Sequence, residues 1–177
     1  MRVRTGRRDW LWGVVVGLLV LVVVASLFFA LRPSGIKTYA TIADVKCQSG
    51  ERLEYHVHSY LAILIEGEQI ASPENVGIRP DECLFWLHTH GRNGVIHVEA
   101  PEAQDFTLGQ FFQIWGQPLS GTQLLDRTAD ATHSVRATVN GETFAGDPAS
   151  IVLRDLETMV LQYGPPFGEA TGSPFEE

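Results

Sequence analysis

Apolar and polar positions along the chain follow two periods, and each predicts its own kind of element. Leu53, Tyr55, Val57, Leu61, Ile63 and Ile65 fall on one parity, while Glu54, His56, His58, Tyr60 and Glu66 fall on the other. Period two predicts a strand with one apolar face over 53–66. Glu66-Gly67-Glu68-Gln69 then reads as a hairpin turn leading into Ile70. Two further strands are predicted from Cys83 to His90 and from Val95 to Ala100. Asn140-Gly141 between extended runs is a strong hairpin signal, and 150–164 supplies one or two closing strands. The period changes to helical only once in this region. Thr107 as N-cap, Gln110 three residues later, and Leu108, Phe111, Phe112 and Trp115 on one face predict a short helix, ended by Gly116 and Pro118. Its aromatics read as core packing under a sheet. The pattern predicts a mainly β domain, an antiparallel sandwich or half-barrel with one short helix.

The first part of the chain follows neither period. Trp10 to Leu31 runs without a charge, ~22 residues and enough to cross a bilayer core as a helix. Arg2, Arg4, Arg7 and Arg8 precede it against a single Asp9. That asymmetry predicts a single N-terminal transmembrane helix over 10–31, with the basic segment 1–9 in the cytoplasm and the rest outside the cell membrane. A cleaved signal peptide ending at Ala25 is the competing reading, and the continuation through Leu27, Phe28 and Phe29 favours an uncleaved anchor. A linker follows at 32–37, then the extracytoplasmic β domain at 38–163. The Pro/Gly-rich acidic tail at 164–177 is expected to be disordered.

Composition agrees with an exported domain. Cys47 and Cys83 are the only cysteines, and an even pair in an oxidising compartment predicts a disulfide. Acidic residues outnumber basic ones by 21 to 13, for a formal net charge of −8, and the arginine-rich first segment leaves the domain more acidic still. Such a surface is expected to repel nucleic acid and anionic lipid headgroups and to tolerate cations, so nucleic acid is not expected as a partner.

The chemistry lies in the histidines. Residues two apart on a strand share a face, so His88 pairs with His90, Trp86 included, and His97 pairs with Glu99. Gly91-Arg92-Asn93-Gly94 between them is a natural turn. A loop on Arg92-Asn93 sets His88 opposite His97, whereas one on Asn93-Gly94 sets His90 opposite His97. Both registers put all three histidines and Glu99 on one face, with cross-strand Cβ atoms about 4.5–5.5 Å apart. His56 and His58 also lie opposite the main apolar parity of their strand, and Leu87, Ile96 and Val98 lie on the aliphatic side of theirs. Neutral imidazoles converging from adjacent strands with a carboxylate are a ligand set for zinc, copper(II) or non-haem iron. The candidate metal ligands are His88, His90, His97, Glu99, His56 and His58. His133 stands alone in a polar loop.

The segment Phe85-Trp86-Leu87-His88-Thr89-His90-Gly91 is similar to the W-x-H-S/T-H segment of multicopper oxidases, in which each histidine of the pair ligates a different copper. Tyr55-His56-Val57-His58-Ser59 sits where such enzymes carry another H-x-H. The match covers about a dozen residues, the later blue-copper cysteine motif is absent, and the chain is too short for several cupredoxin domains. More widely, "YHVHSYLAI", "CLFWLHTHGRNGVIHVEAP", "TLGQFFQIWGQPLS" and "VNGETFAGDPASIVL" resemble a family of small membrane-anchored bacterial domains without an assigned activity.

Three functions compete on this reading. The leading one is an anchored extracytoplasmic domain that binds a divalent transition metal, zinc or copper, for delivery, sensing or support of a membrane-protein partner. Methionine is too scarce for a copper(I) shuttle. A metal-dependent hydrolase or hydratase would use a metal-bound water with Glu99 moving protons, but no H-E-x-x-H or G-x-S-x-G occurs and no catalytic residue is assigned. A structural or protein-interaction module would use the histidines as polar groups or as a pH switch.

Overall fold

The structure is a computed structural model that describes residues 7–30 and 37–175, with side chains from Leu11 to Leu27 and from Lys37 to Phe175. Most of the expected basic segment 1–9 and of the linker 32–37 lies outside the described residues. The chain forms two units, within 1–36 and 37–177.

The first unit holds helix α1 (Arg7–Ala30). Among the described residues, no helix is long and apolar enough to cross a membrane. The single transmembrane helix expected over 10–31 is therefore not borne out among the described residues.

The second unit is mainly β. Its strands are β1 (Thr38–Ile42), β2 (Val45–Gln48), β3 (Tyr55–Ile65), β4 (Glu68–Gln69), β5 (Ile78–Arg79), β6 (Cys83–Phe85), β7 (Leu87–His88), β8 (Val95–Ala100), β9 (Leu119–Ser120), β10 (Gln123–Leu124), β11 (Arg127–Thr128), β12 (Ser134–Val139), β13 (Glu142–Thr143) and β14 (Thr158–Gly164). Helix α2 (Leu108–Trp115) lies between β8 and β9. A seven-stranded sheet runs β13-β12-β14-β3-β8-β7, with β4 beside β3; β1-β2-β6-β5 and β11-β10-β9 form two smaller sheets. No barrel closes among these strands.

Local sequence accounts for much of this. Glu66 and Gly67 take positive φ angles of 52° and 86°, as do Asn140 and Gly141 at 50° and 81°. These are the two-residue turns that fit the right-handed twist of a hairpin, and they close β3 on β4 and β12 on β13. In α2 the Thr107 hydroxyl accepts from Gln110 N–H, the Gln110 side chain accepts from Thr107 N–H, and Gly116 caps the C-terminus in the left-handed conformation. Phe111 and Phe112 enter one core with Val45 and Cys47 of β2, Val57, Leu61 and Ile63 of β3, Ile96 and Val98 of β8, and Leu161 of β14. The aliphatic parity of β3 and β8 therefore faces the core as the pattern predicts.

Three features differ from the sequence reading. The expected antiparallel sheet is mixed, because β14 runs parallel to β3 from Thr158↔Tyr60 to Tyr163↔Ile65. The single strand expected over 83–90 breaks at Trp86: β6 pairs with β2 and β5, while β7 joins β8. Trp86 is thus drawn into the core, where its indole N–H donates to Gln48 Oε1 at 3.0 Å and its ring meets Phe106 edge-on. Finally, the tail expected to be disordered packs back as far as Phe175. Tyr60, Ala62, Leu64 and Val160 form a second small core covered by Ala170 and Phe175, because the polar parity of β3 turns apolar after Ser59.

Cys47 and Cys83 form a disulfide that spans 36 residues and joins the neighbouring strands β2 and β6. Closing a loop of that length contributes about 3–4 kcal/mol in the chain-entropy account.

Candidate metal centre

The centre is built on three adjacent strands. β8 lies between β7 and β3, and the registers place His88 opposite His97 and His97 opposite His58. One row across the sheet therefore reads His88, His97, His58. In the next row His56 stands opposite Glu99. This is the register of the Arg92-Asn93 alternative, although the chain between β7 and β8 spans 89–94.

His90 lies beyond the end of β7 and is held there by its neighbour. Buried Thr89 donates its N–H to the Val76 carbonyl at 3.0 Å; its hydroxyl accepts from Val76 N–H and donates to the Pro73 carbonyl, both at 3.1 Å. At the far end of the connection Asn93 Oδ1 accepts from Val95 N–H at 3.2 Å. Gly94 takes φ 77°, and a Cβ there would lie 2.6 Å from the Tyr60 ring. The turn thus needs a glycine.

Ligand atoms of His88, His90, His97 and Glu99 all lie within 4.8 Å of one another, a group that can hold a metal ion. His88 is fully buried. Its Nδ1 lies 3.0 Å from the Phe85 carbonyl, which only accepts, so Nδ1 carries the proton and Nε2 presents a lone pair. An imidazole oriented in this way by a backbone carbonyl is the usual support for a metal-binding histidine. His88 Nε2 lies 3.2 Å from His90 Nε2 and 3.8 Å from Glu99 Oε1. Two nitrogens on a tetrahedral zinc at its usual bond length stand about 3.3 Å apart.

Two atoms of the group lack any other role. His97 Nδ1 and Glu99 Oε2 are buried without a hydrogen-bond partner among the described residues. His97 Nδ1 stands 3.9 Å from Glu99 Oε1, and His56 Nε2 stands 3.3 Å from the same oxygen. Buried polar atoms without partners are costly, and a bound cation would satisfy both.

Electrostatics point the same way. Burial pushes His88 down to about 3, with nearby His90, His97 and His56 adding to the effect and the Phe85 carbonyl opposing it. Burial also pushes His97 down to about 4, helped by His58, His90 and His56. His58 is lowered by burial and by His56, against Asp155. Glu99 is raised above the ordinary carboxylate value by burial and by Glu51. His58, His88 and His97 are therefore neutral at pH 7, the form that ligates metal.

The structure gathers the six predicted ligands into two overlapping groups. Besides the first group, His56, His58 and His97 form a second set of mutually close ligand atoms. His133 stands apart, stacked on Tyr163 and beside Asp130. Three positioning groups escape the sequence reading: the Phe85 carbonyl, Thr89, and Asp155, whose Oδ1 accepts the His58 N–H at 3.0 Å. Thr89 sits inside the H-T-H motif, so its place was marked though its role was not. Neither a backbone carbonyl nor a partner 97 residues away in sequence leaves a local signal.

Compared with known proteins, the chain matches no family model, no curated protein and no solved structure.

Proposed function

We propose that the β domain is a divalent transition-metal-binding domain, with His88, His90, His97 and Glu99 as ligands and zinc or copper as the ion. The observation that carries this reading is the convergence of those four ligand atoms within 4.8 Å, two of the residues contributing buried atoms with no other partner. Neutral imidazole with a carboxylate suits both zinc and copper(II). His88 is buried and His90 exposed, so the ion would be gripped from inside and approached from solvent. That geometry suits a domain that takes up and passes on metal.

Location outside the cytoplasm is part of the proposal. The disulfide supports an oxidising compartment. The arginines before the uncharged run support export of the domain, and its recipient would be a membrane protein.

The test is elemental analysis of the purified full chain, loaded with zinc or copper(II) and then desalted. Bound metal in stoichiometric amount is expected, with loss of at least tenfold in affinity on His88→Ala or Glu99→Gln. A parent chain that holds no metal after loading would reduce the histidines to polar groups of an interaction module.

A further inference from the structure

We propose that the histidine cluster holds two metal ions rather than one, with His97 shared between them. This rests on the metal-binding reading above and extends it. Its basis is that His97 alone belongs to both sets of mutually close ligand atoms, His88, His90, His97 and Glu99 on one side and His56, His58 and His97 on the other.

The sheet produces this arrangement. His97 stands on the middle strand of three, opposite His88 of β7 and opposite His58 of β3. Its ring centroid lies 5.3 Å from that of His88 and 4.7 Å from that of His90 on one flank. On the other flank His58 lies at 4.6 Å and His56 at 6.2 Å. His56 and His58 are 4.5 Å apart, tilted to each other. At metal–ligand bonds of about 2.0–2.2 Å, one ion reaches only ligand atoms within roughly 4.4 Å of each other. No set containing all six residues meets even the looser 4.8 Å limit among the described residues, so a single ion cannot use them all.

An imidazole offers two nitrogens and so has one for each ion. His97 Nδ1, buried without a hydrogen bond, faces Glu99 at 3.9 Å and belongs to the first ion. Nε2 remains for the second ion, with His56 and His58. Binding at both nitrogens displaces the ring N–H proton to water and leaves an imidazolate with one ion at each nitrogen. Glu99 Oε1, also 3.3 Å from His56 Nε2, borders both ions and adds negative charge between them.

Copper(II) titration of the full chain tests this, read by elemental analysis after desalting and by electron paramagnetic resonance. Two equivalents are expected in the parent, and one in both His56→Ala/His58→Ala and His88→Ala/His90→Ala, each checked for folding by near-ultraviolet circular dichroism. With one equivalent the parent should give a full copper(II) signal. The second equivalent should weaken that signal, because an imidazolate couples the two spins. This readout uses the unaltered chain, so it decides the question even if a double variant does not fold. One equivalent at saturation, abolished by His88→Ala and untouched by His58→Gln, would overturn the second ion while leaving the first site standing. Two equivalents with a doubled, uncoupled signal would overturn the sharing of His97. No bound copper at all would instead remove the metal-binding reading on which this rests.

Discussion

At the scale of the residue, burial has shaped a set of imidazoles to remain unprotonated. His88 is pushed down to about 3 and His97 to about 4, from an ordinary value near 6.5. The unfolded chain therefore binds more protons than the folded one between those values, and folding stability falls as pH falls through this window. Stability of the metal-free chain is expected to be full above pH 6.5 and to decline continuously toward pH 4. The raised Glu99 acts with the opposite sign and favours the fold only when protonated, which offsets part of the loss at the acid end. Urea denaturation of chelator-treated chain at pH 7.5, 5.5 and 4.5 checks this, and His88→Leu should flatten the profile. A parent profile already flat would mean that these rings are solvated. The candidate ligands were legible because H-x-H on a strand fixes which side chains share a face. Their tautomers were not, since the Phe85 carbonyl that sets the His88 proton belongs to the backbone.

At the scale of the element, the hairpin turns and α2 follow their local signals, because each is decided within four or five residues by backbone conformation or capping. The break at Trp86 does not, since it arises from competition between two sheets for one extended segment. β6 is held by β2 and β5, and β7 by β8. Gly77 lets these parts approach. It takes φ 74°, its carbonyl accepts from Phe85 N–H at 2.9 Å, and a Cβ there would collide with the Leu87 carbonyl and lie 3.2 Å from His88 Cβ. Gly77→Ala should therefore cost about 1–3 kcal/mol of stability and, by shifting His88, about tenfold or more in metal affinity. Gly121→Ala, where nothing lies within 4 Å of the added carbon, should change neither. Denaturation and metal titration of the two variants separate the effects, and normal affinity in Gly77→Ala would show that β7 adjusts without moving its ligand.

At the scale of the whole domain, one parity of β3 does two jobs, and neither the mixed sheet nor the returning tail could be read from local pattern. His56 and His58 stand in the histidine cluster at one end; Tyr60, Ala62 and Leu64 need a cover at the other. The parallel pairing of β14 brings Val160 to that second core and directs the following residues across it. Thr171 is then clasped by Gln69, whose Nε2 donates to the Thr171 carbonyl at 3.1 Å while its Oε1 accepts the Thr171 N–H at 2.8 Å. The Tyr60 hydroxyl donates to the same carbonyl at 2.8 Å, and the Arg136 guanidinium lies 3.7 Å over the Phe167 ring. Ending the chain at Gly164 removes all of these contacts and uncovers apolar surface, so a loss on the order of 2–4 kcal/mol is expected. Metal stoichiometry should not change, because every candidate ligand and the groups that orient them precede the cut. If truncation also abolished metal binding, the two ends of β3 would form one cooperative unit, and the tail would be a structural requirement of the centre rather than a cover for the opposite end.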